Sequence, residues 1–154
     1  MKAVVQRVSH AHVSIEGQVV GSIGQGLVVL LGVAEKDSII EADWLIKKIL
    51  NCRIFSDEQQ KMNLSVLDIR GGVLVVSQFT LLANVRKGNR PSFVEAATPE
   101  KAQELYNYCL DKMKTDLYDR IQAGVFGAMM EVSLTNDGPV TIVFDTDLKN
   151  KKDE

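Results

Sequence analysis

The chain has 154 residues, 45% of them hydrophobic and 25% charged, with a formal net charge of −2. That fits one globular domain able to bury a core without disulfide or metal staples, and excludes disordered, collagen-like or low-complexity function. The charge excludes a general attraction to nucleic acid, so any RNA partner needs a local basic patch; no apolar run approaches the roughly 20 residues of a membrane span.

In chain order, Met1 to Val8 and His10 to Ile15 read as strands, and Gly17-Gln18 separates them from Val19 to Ile23 in an antiparallel meander. The opening Met1 to Arg7 is too short an apolar stretch for an export signal, which reads as cytoplasmic. After Gly24-Gln25-Gly26, the continuously apolar Leu27 to Leu31 is expected to be a central strand covered on both faces. Asp37 or Ser38 caps a helix to about Cys52, with Ile39, Ile40, Ile46, Ile49 and Leu50 mostly at helical spacing. A polar stretch, Ser56 to Asn63, and a turn through Asp68 to Gly72 lead into a buried strand, Val73 to Val76. That strand runs through Ser77-Gln78-Phe79-Thr80-Leu81 into an irregular basic loop, Asn84 to Pro91.

Thr98 is the expected N-cap of a second helix, with Pro99 in its first turn and Ala102, Leu105, Tyr106, Cys109, Met113 and Leu117 along it. The last third reads as strand Arg120 to Val125, a Gly-rich bend, strand Met129 to Leu134, the turn Asn136-Asp137-Gly138-Pro139, and strand Val140 to Phe144. Pro139 has no N–H for a ladder, so this turn belongs at a sheet edge or end. Lys149 to Glu154 is charged and lacks apolar anchors, as a frayed tail does. The fold class is therefore α/β: antiparallel-rich sheets flanked by two main helices in a single compact domain.

Few residues offer catalysis. His10 and His12 share a strand face with Ser14, without a third ligand for a metal, and Cys52 and Cys109 read as buried free thiols. Ser77 and Thr80 are nucleophiles by type, but Val76-Ser77-Gln78 lacks the elbow that exposes a nucleophilic serine; hydroxyls bound to backbone at a strand end explain them as well. Arg86, Lys87 and Arg90 form the clearest anion-binding patch, with a merely solvated basic loop as the alternative. Gly138-Pro139 stands in a tight turn, where an X-Pro bond is sometimes cis although trans is commoner.

Ser77-Gln78-Phe79-Thr80-Leu81 and Asn136-Asp137-Gly138-Pro139-Val140-Thr141 resemble the two signature motifs of the D-aminoacyl-tRNA deacylases. The resemblance extends through Gln6-Arg7-Val8, Gly17 to Gly32, Arg90-Pro91-Ser92-Phe93 and Phe126-Gly127-Ala128-Met129. It covers nearly the whole chain and stops at about Asp147, which suggests a deacylase domain over 1–147 and a charged tail over 148–154.

That family hydrolyses the ester between a D-amino acid, or glycine mischarged on tRNA(Ala), and the terminal ribose of tRNA, and rejects L-aminoacyl esters. Its members are homodimers whose active sites lie at the interface, each receiving a cis Gly-Pro motif from the partner. The resemblance implies a tRNA partner, a homodimer and no metal or other cofactor. It makes Ser77, Gln78, Phe79 and Thr80 catalytic, with backbone N–H groups near Phe79 and Thr80 as an oxyanion hole and Thr80 as possible nucleophile or water-positioner. Gly138, Pro139 and Arg7 become the cross-subunit chirality filter, and Leu81, Phe126, Ala128 and Met129 the pocket wall. The basic loop of Arg86, Lys87 and Arg90 would take the tRNA. Two rivals remain: a non-catalytic tRNA- or DNA-binding module of the same fold, and a serine hydrolase acting through Ser77.

Overall fold

The computed structural model describes residues 1–149, so the charged segment after Lys149 lies outside the described residues. One curled sheet carries the chain, built from β1 (Lys2–Ile15), β2 (Gln18–Ile23), β3 (Gly26–Gly32), β6 (Gly72–Ser77), β7 (Ile121–Ala123) and β8 (Glu131–Asp145). Two short strands, β4 (Phe55–Ser56) and β5 (Met62–Leu64), form a separate hairpin; the main helices are α1 (Ile39–Leu50) and α2 (Pro99–Leu117).

The sheet is mixed rather than antiparallel-rich. β1 pairs antiparallel with β2, β3 and β8, but β3–β6 and β6–β7 are parallel. The reason lies in the connections: α1 falls between β3 and β6, and α2 between β6 and β7, and a helical crossover returns the chain in the same direction. Burial on both faces follows, as expected for Leu27 to Leu31. Leu27, Val29 and Leu31 join Val73, Val75 and the helices in the larger core, while Val28 joins Val8, Val13, Leu74 and Val76 in a second core inside the curl.

Two expected breaks are absent. Met1 to Val8 and His10 to Ile15 fall, from Lys2, in one strand, β1, and the stretch expected as strand Met129 to Leu134, turn and strand Val140 to Phe144 is, from Glu131, the single strand β8, opposite β1 along nearly its whole length. The ladder slips twice near Val8, which absorbs Asn136 to Pro139 as an irregular bulge instead of a reversal. Among the described residues β8 pairs with β1 alone, so its outer edge accommodates Pro139.

Ser38, not Asp37, caps α1. Its hydroxyl accepts from the Ile40 N–H, and Glu41 accepts from the Ser38 N–H at 3.0 Å in a capping box. Asp37 is buried, bound to the Met1 amino group at 2.6 Å and the Ala34 N–H at 2.6 Å. Lys149, expected to fray, hydrogen-bonds Glu41 and so is tied to the first turn of α1. Thr98 precedes α2 but makes no side-chain cap; its N–H goes to Glu35 at 3.0 Å. Both cysteines are free: Cys109 is buried inside α2, where burial pushes its thiol up to about 12, and Cys52 is half-buried just beyond α1.

Candidate active site

β6 delivers Ser77 to one end of the sheet, where the Gln78 N–H donates to the Leu31 carbonyl at 2.8 Å and so extends the parallel ladder by one bond. The chain then tightens into η1 (Phe79–Leu82), a single 3-10 turn. Gly32 allows η1 to lie against β3, since a Cβ there would stand 2.6 Å from the Leu82 side chain and 2.9 Å from the Gln78 carbonyl oxygen. Gln78 donates its side-chain amide to the Thr80 hydroxyl. The Phe79 and Thr80 N–H groups open the turn, and among the described residues neither has a protein acceptor. Two adjacent donors without a protein acceptor, on two exposed residues, suit a developing oxyanion. The hydroxyls of Ser77 and Thr80 hydrogen-bond no histidine or carboxylate among the described residues.

Behind this end, the buried Tyr106 hydroxyl donates to the Val75 carbonyl at 3.0 Å, and the Gly124 N–H reaches the same oxygen at 3.0 Å. Burial raises the Tyr106 phenol to about 12, so it remains a donor. These bonds place the segment after β7 beside Ser77. Within it, Phe126 packs on Tyr106 with ring centroids 5.7 Å apart, Ala128 is half-buried, and Met129 is 91% exposed. Leu81 is half-buried beside Gly32.

Gly138-Pro139 is a cis bond on the bulge of β8, with both residues exposed. At φ +132° an L side chain is strained, and a Cβ on Gly138 would meet Val140 at 2.8 Å and the Arg7 guanidinium at 3.0 Å. Arg7 holds the bulge: its Nε donates to the Asp137 carbonyl at 3.0 Å and its Nη1 to the Ile54 carbonyl at 2.6 Å. Asn136, a motif residue without an assigned role in the sequence reading, donates to the carbonyls of Arg7 and Val140 at 3.3 and 3.0 Å. Its place among turn-forming residues in a strand was the available signal; the Ile54 carbonyl, from a distant loop, gave none.

The two motifs do not meet within one chain. Arg7 pairs with Leu27, whereas Gln78 joins the ladder at Leu31, four residues further along β3. At the usual strand rise that separates the bulge and η1 by roughly 13 Å along the sheet.

Arg86, Lys87 and Arg90 sit on an exposed loop emerging from η1 and closed by mutual backbone bonds between Asn84 and Ser92 at 2.8 and 2.9 Å. No ion pair among the described residues engages them. His10 is engaged with Ser9 and Thr135, each at 3.2 Å, and no group of three metal-ligating side chains occurs among the described residues. No helix among them is long and apolar enough to cross a membrane.

Against known proteins, residues 4–145 match the family model described as D-Tyr-tRNA(Tyr) deacylase. D-aminoacyl-tRNA deacylases of Thermosipho melanesiensis and Opitutus terrae are 51% and 56% identical over 146 residues, covering 95% of this chain and 97% of each relative. A solved structure described as a c-Myc DNA unwinding element binding protein is 45% identical, covers 94% of this chain and 98% of its own, and superposes with TM-score 0.90. A probable eukaryotic D-amino acid tRNA deacylase, 17% identical with TM-score 0.80, shares the fold.

Proposed function

The chain belongs to the D-Tyr-tRNA(Tyr) deacylase family, hydrolases of the D-aminoacyl-tRNA ester bond, and we propose that two copies of it assemble to complete each active site. It releases free tRNA and the amino acid. The observation that carries the two-copy reading is the separation of the motifs along β3: one chain holds Gly138-Pro139 at one end and Phe79-Thr80 at the other. In a symmetric pair each turn reaches the other copy's pocket.

In the completed site, the Phe79 and Thr80 N–H groups receive the negative charge that grows on the ester carbonyl oxygen as water attacks. Among the described residues no base hydrogen-bonds the hydroxyls of Ser77 and Thr80, so the protein positions the ester, and the tRNA's own 2′-hydroxyl assists the water. The carbonyls of the partner's Gly138-Pro139 turn take the α-ammonium, and its bulk fills the place of an L side chain. A D side chain points outward, and glycyl-tRNA, with nothing to clash, passes the same filter. Leu81, Phe126, Ala128 and Met129 complete the wall. Arg86, Lys87 and Arg90 meet acceptor-stem phosphates, and the enzyme works in the cytoplasm on tRNA as its partner.

A deacylation time course on matched D-tyrosyl-tRNA and L-tyrosyl-tRNA tests this. Loss of the D ester alone is expected; equal loss of both would overturn the filter. A second reading, a non-catalytic tRNA- or DNA-binding module, has one finding in its favour, the likeness to the protein described as binding a c-Myc DNA unwinding element. It predicts that both esters are protected.

A further inference from the structure

The Pro91-Ser92-Phe93 segment that follows Arg90 lies outside the chemistry above, yet Phe93 touches it. Its ring and that of Phe79 form an edge-to-face pair, with centroids 5.1 Å apart and planes at 66°, a favoured geometry of aromatic pairs. Phe79 is 58% exposed, whereas Phe93 is half-buried.

Phe93 is itself held from both sides. Before it, the Asn84–Ser92 bonds close the basic loop; after it, the Ala97 N–H donates to the Val33 carbonyl at 3.0 Å, and the Glu35 N–H to the Glu95 carbonyl at 3.0 Å. Those bonds fasten the segment to the end of β3, the same stretch to which Gln78 is bonded through Leu31. The two rings therefore stand on one support, and the loop carrying Arg86, Lys87 and Arg90 leaves from η1 and returns at Phe93.

We infer that Phe93 is a positioning residue for the deacylation site. Its ring packs against Phe79 and fixes it, and thereby the direction of the Phe79 and Thr80 N–H groups. This rests on the deacylase reading. Donors aimed at a developing oxyanion act through their alignment, so loosening Phe79 slows turnover more than it weakens binding.

The test compares steady-state hydrolysis of D-tyrosyl-tRNA by wild type, Phe93→Ala, Phe93→Leu, Phe93→Tyr, Phe79→Ala and the Phe79→Ala/Phe93→Ala pair. Phe93→Ala and Phe93→Leu are expected to lower kcat about tenfold with KM changed less than about twofold. Phe93→Tyr, which keeps the ring edge, restores kcat to within about twofold of wild type. The double variant is no slower than Phe79→Ala, because the effect of Phe93 passes through Phe79. Should Phe93→Ala fail to fold, Phe93→Leu keeps apolar volume without an aromatic edge and answers the same question. An unchanged kcat, a change in KM alone, or multiplying effects in the double variant would overturn the inference while leaving the deacylase reading intact. A wild-type protein inert on the D ester would overturn both.

Discussion

The Nε of Arg7 donates to the Asp137 carbonyl at 3.0 Å, one residue before Gly138, while Nη1 of the same fork reaches the Ile54 carbonyl at 2.6 Å. Arg7 thus ties the β8 bulge to the loop following α1. Lysine has the charge but a single nitrogen, and cannot span both carbonyls. Arg7→Lys is expected to cost about 2 kcal/mol of stability in urea titrations. It should also lower the D-over-L rate ratio on tyrosyl-tRNA about tenfold, as the turn loses its fixed orientation. An unaltered ratio would show that Arg7 supports the fold alone.

Much of this was legible in the sequence, and the gaps have physical causes. Apolar runs without alternation marked β3 and β6 as strands covered on both faces, and both helices stand where their periodicity placed them. The parallel pairings were implied by those same helices, but local alternation in β1 and β2 spoke more loudly for an antiparallel sheet. Asn136-Asp137-Gly138-Pro139 carries every mark of a reversal, yet β1 holds β8 on both sides of it and the chain bulges instead. Arg7 and Gly138 lie 131 positions apart by number, so only register could join them. Phe93 gave no sign of its role, because an edge-on ring contact leaves no periodic trace.

Catalysis by backbone donors predicts tolerance where a nucleophile would not allow it. The Thr80 hydroxyl accepts from Gln78, and among the described residues no base hydrogen-bonds it. Thr80→Ala should therefore keep activity within about tenfold of wild type, and Ser77→Ala likewise. Complete loss in a folded, tRNA-binding Thr80→Ala protein would establish a covalent route through that hydroxyl; the same outcome for Ser77→Ala would restore the serine hydrolase.

Acid stability should depend on Glu41. The hydrogen bond from Lys149, reinforced by Ser38, holds its carboxyl at about 2, well below the ordinary 4.5. A carboxyl whose folded value is depressed contributes stability that is complete above its unfolded value and disappears as pH falls through the folded one. That window runs from about pH 4.5 down to about 2. Glu41→Gln is expected to be on the order of 1–2 kcal/mol less stable near neutrality, with the difference shrinking across that window. A difference that stays constant with pH in denaturant titrations would place the effect in helix packing.

Tandem replacement of Arg86, Lys87 and Arg90 by alanine should raise KM for D-tyrosyl-tRNA about tenfold and flatten its dependence on salt. Each lost phosphate contact removes roughly 0.7 to 0.9 from the slope of log affinity against log salt. These side chains are exposed, and no ion pair among the described residues engages them, which makes a folding defect a poor explanation of such a change. An unchanged slope would remove the loop from the tRNA path.

The two-copy site can be tested by complementation. Gly138→Val places a Cβ against Val140 and Arg7 at a φ that branched side chains avoid, and so spoils the turn that a protomer offers its partner. Phe79→Pro deletes a donor at the first position of η1, a place where helical turns commonly accept proline and where no acceptor among the described residues loses a partner, and so spoils the pocket that a protomer keeps. Each homodimer then carries two defective sites. A mixed dimer has one site built from both defects and one built from neither, because the intact turn of one chain faces the intact pocket of the other. Random exchange of subunits at equal amounts makes about half the dimers mixed, which returns about a quarter of wild-type activity. Recovery on mixing, from two inactive preparations that sediment as dimers, is the expected result. If the mixture remains inactive while mixed dimers form, turn and pocket act within one chain, and the roughly 13 Å between Arg7 and Gln78 along β3 must be bridged by movement of η1.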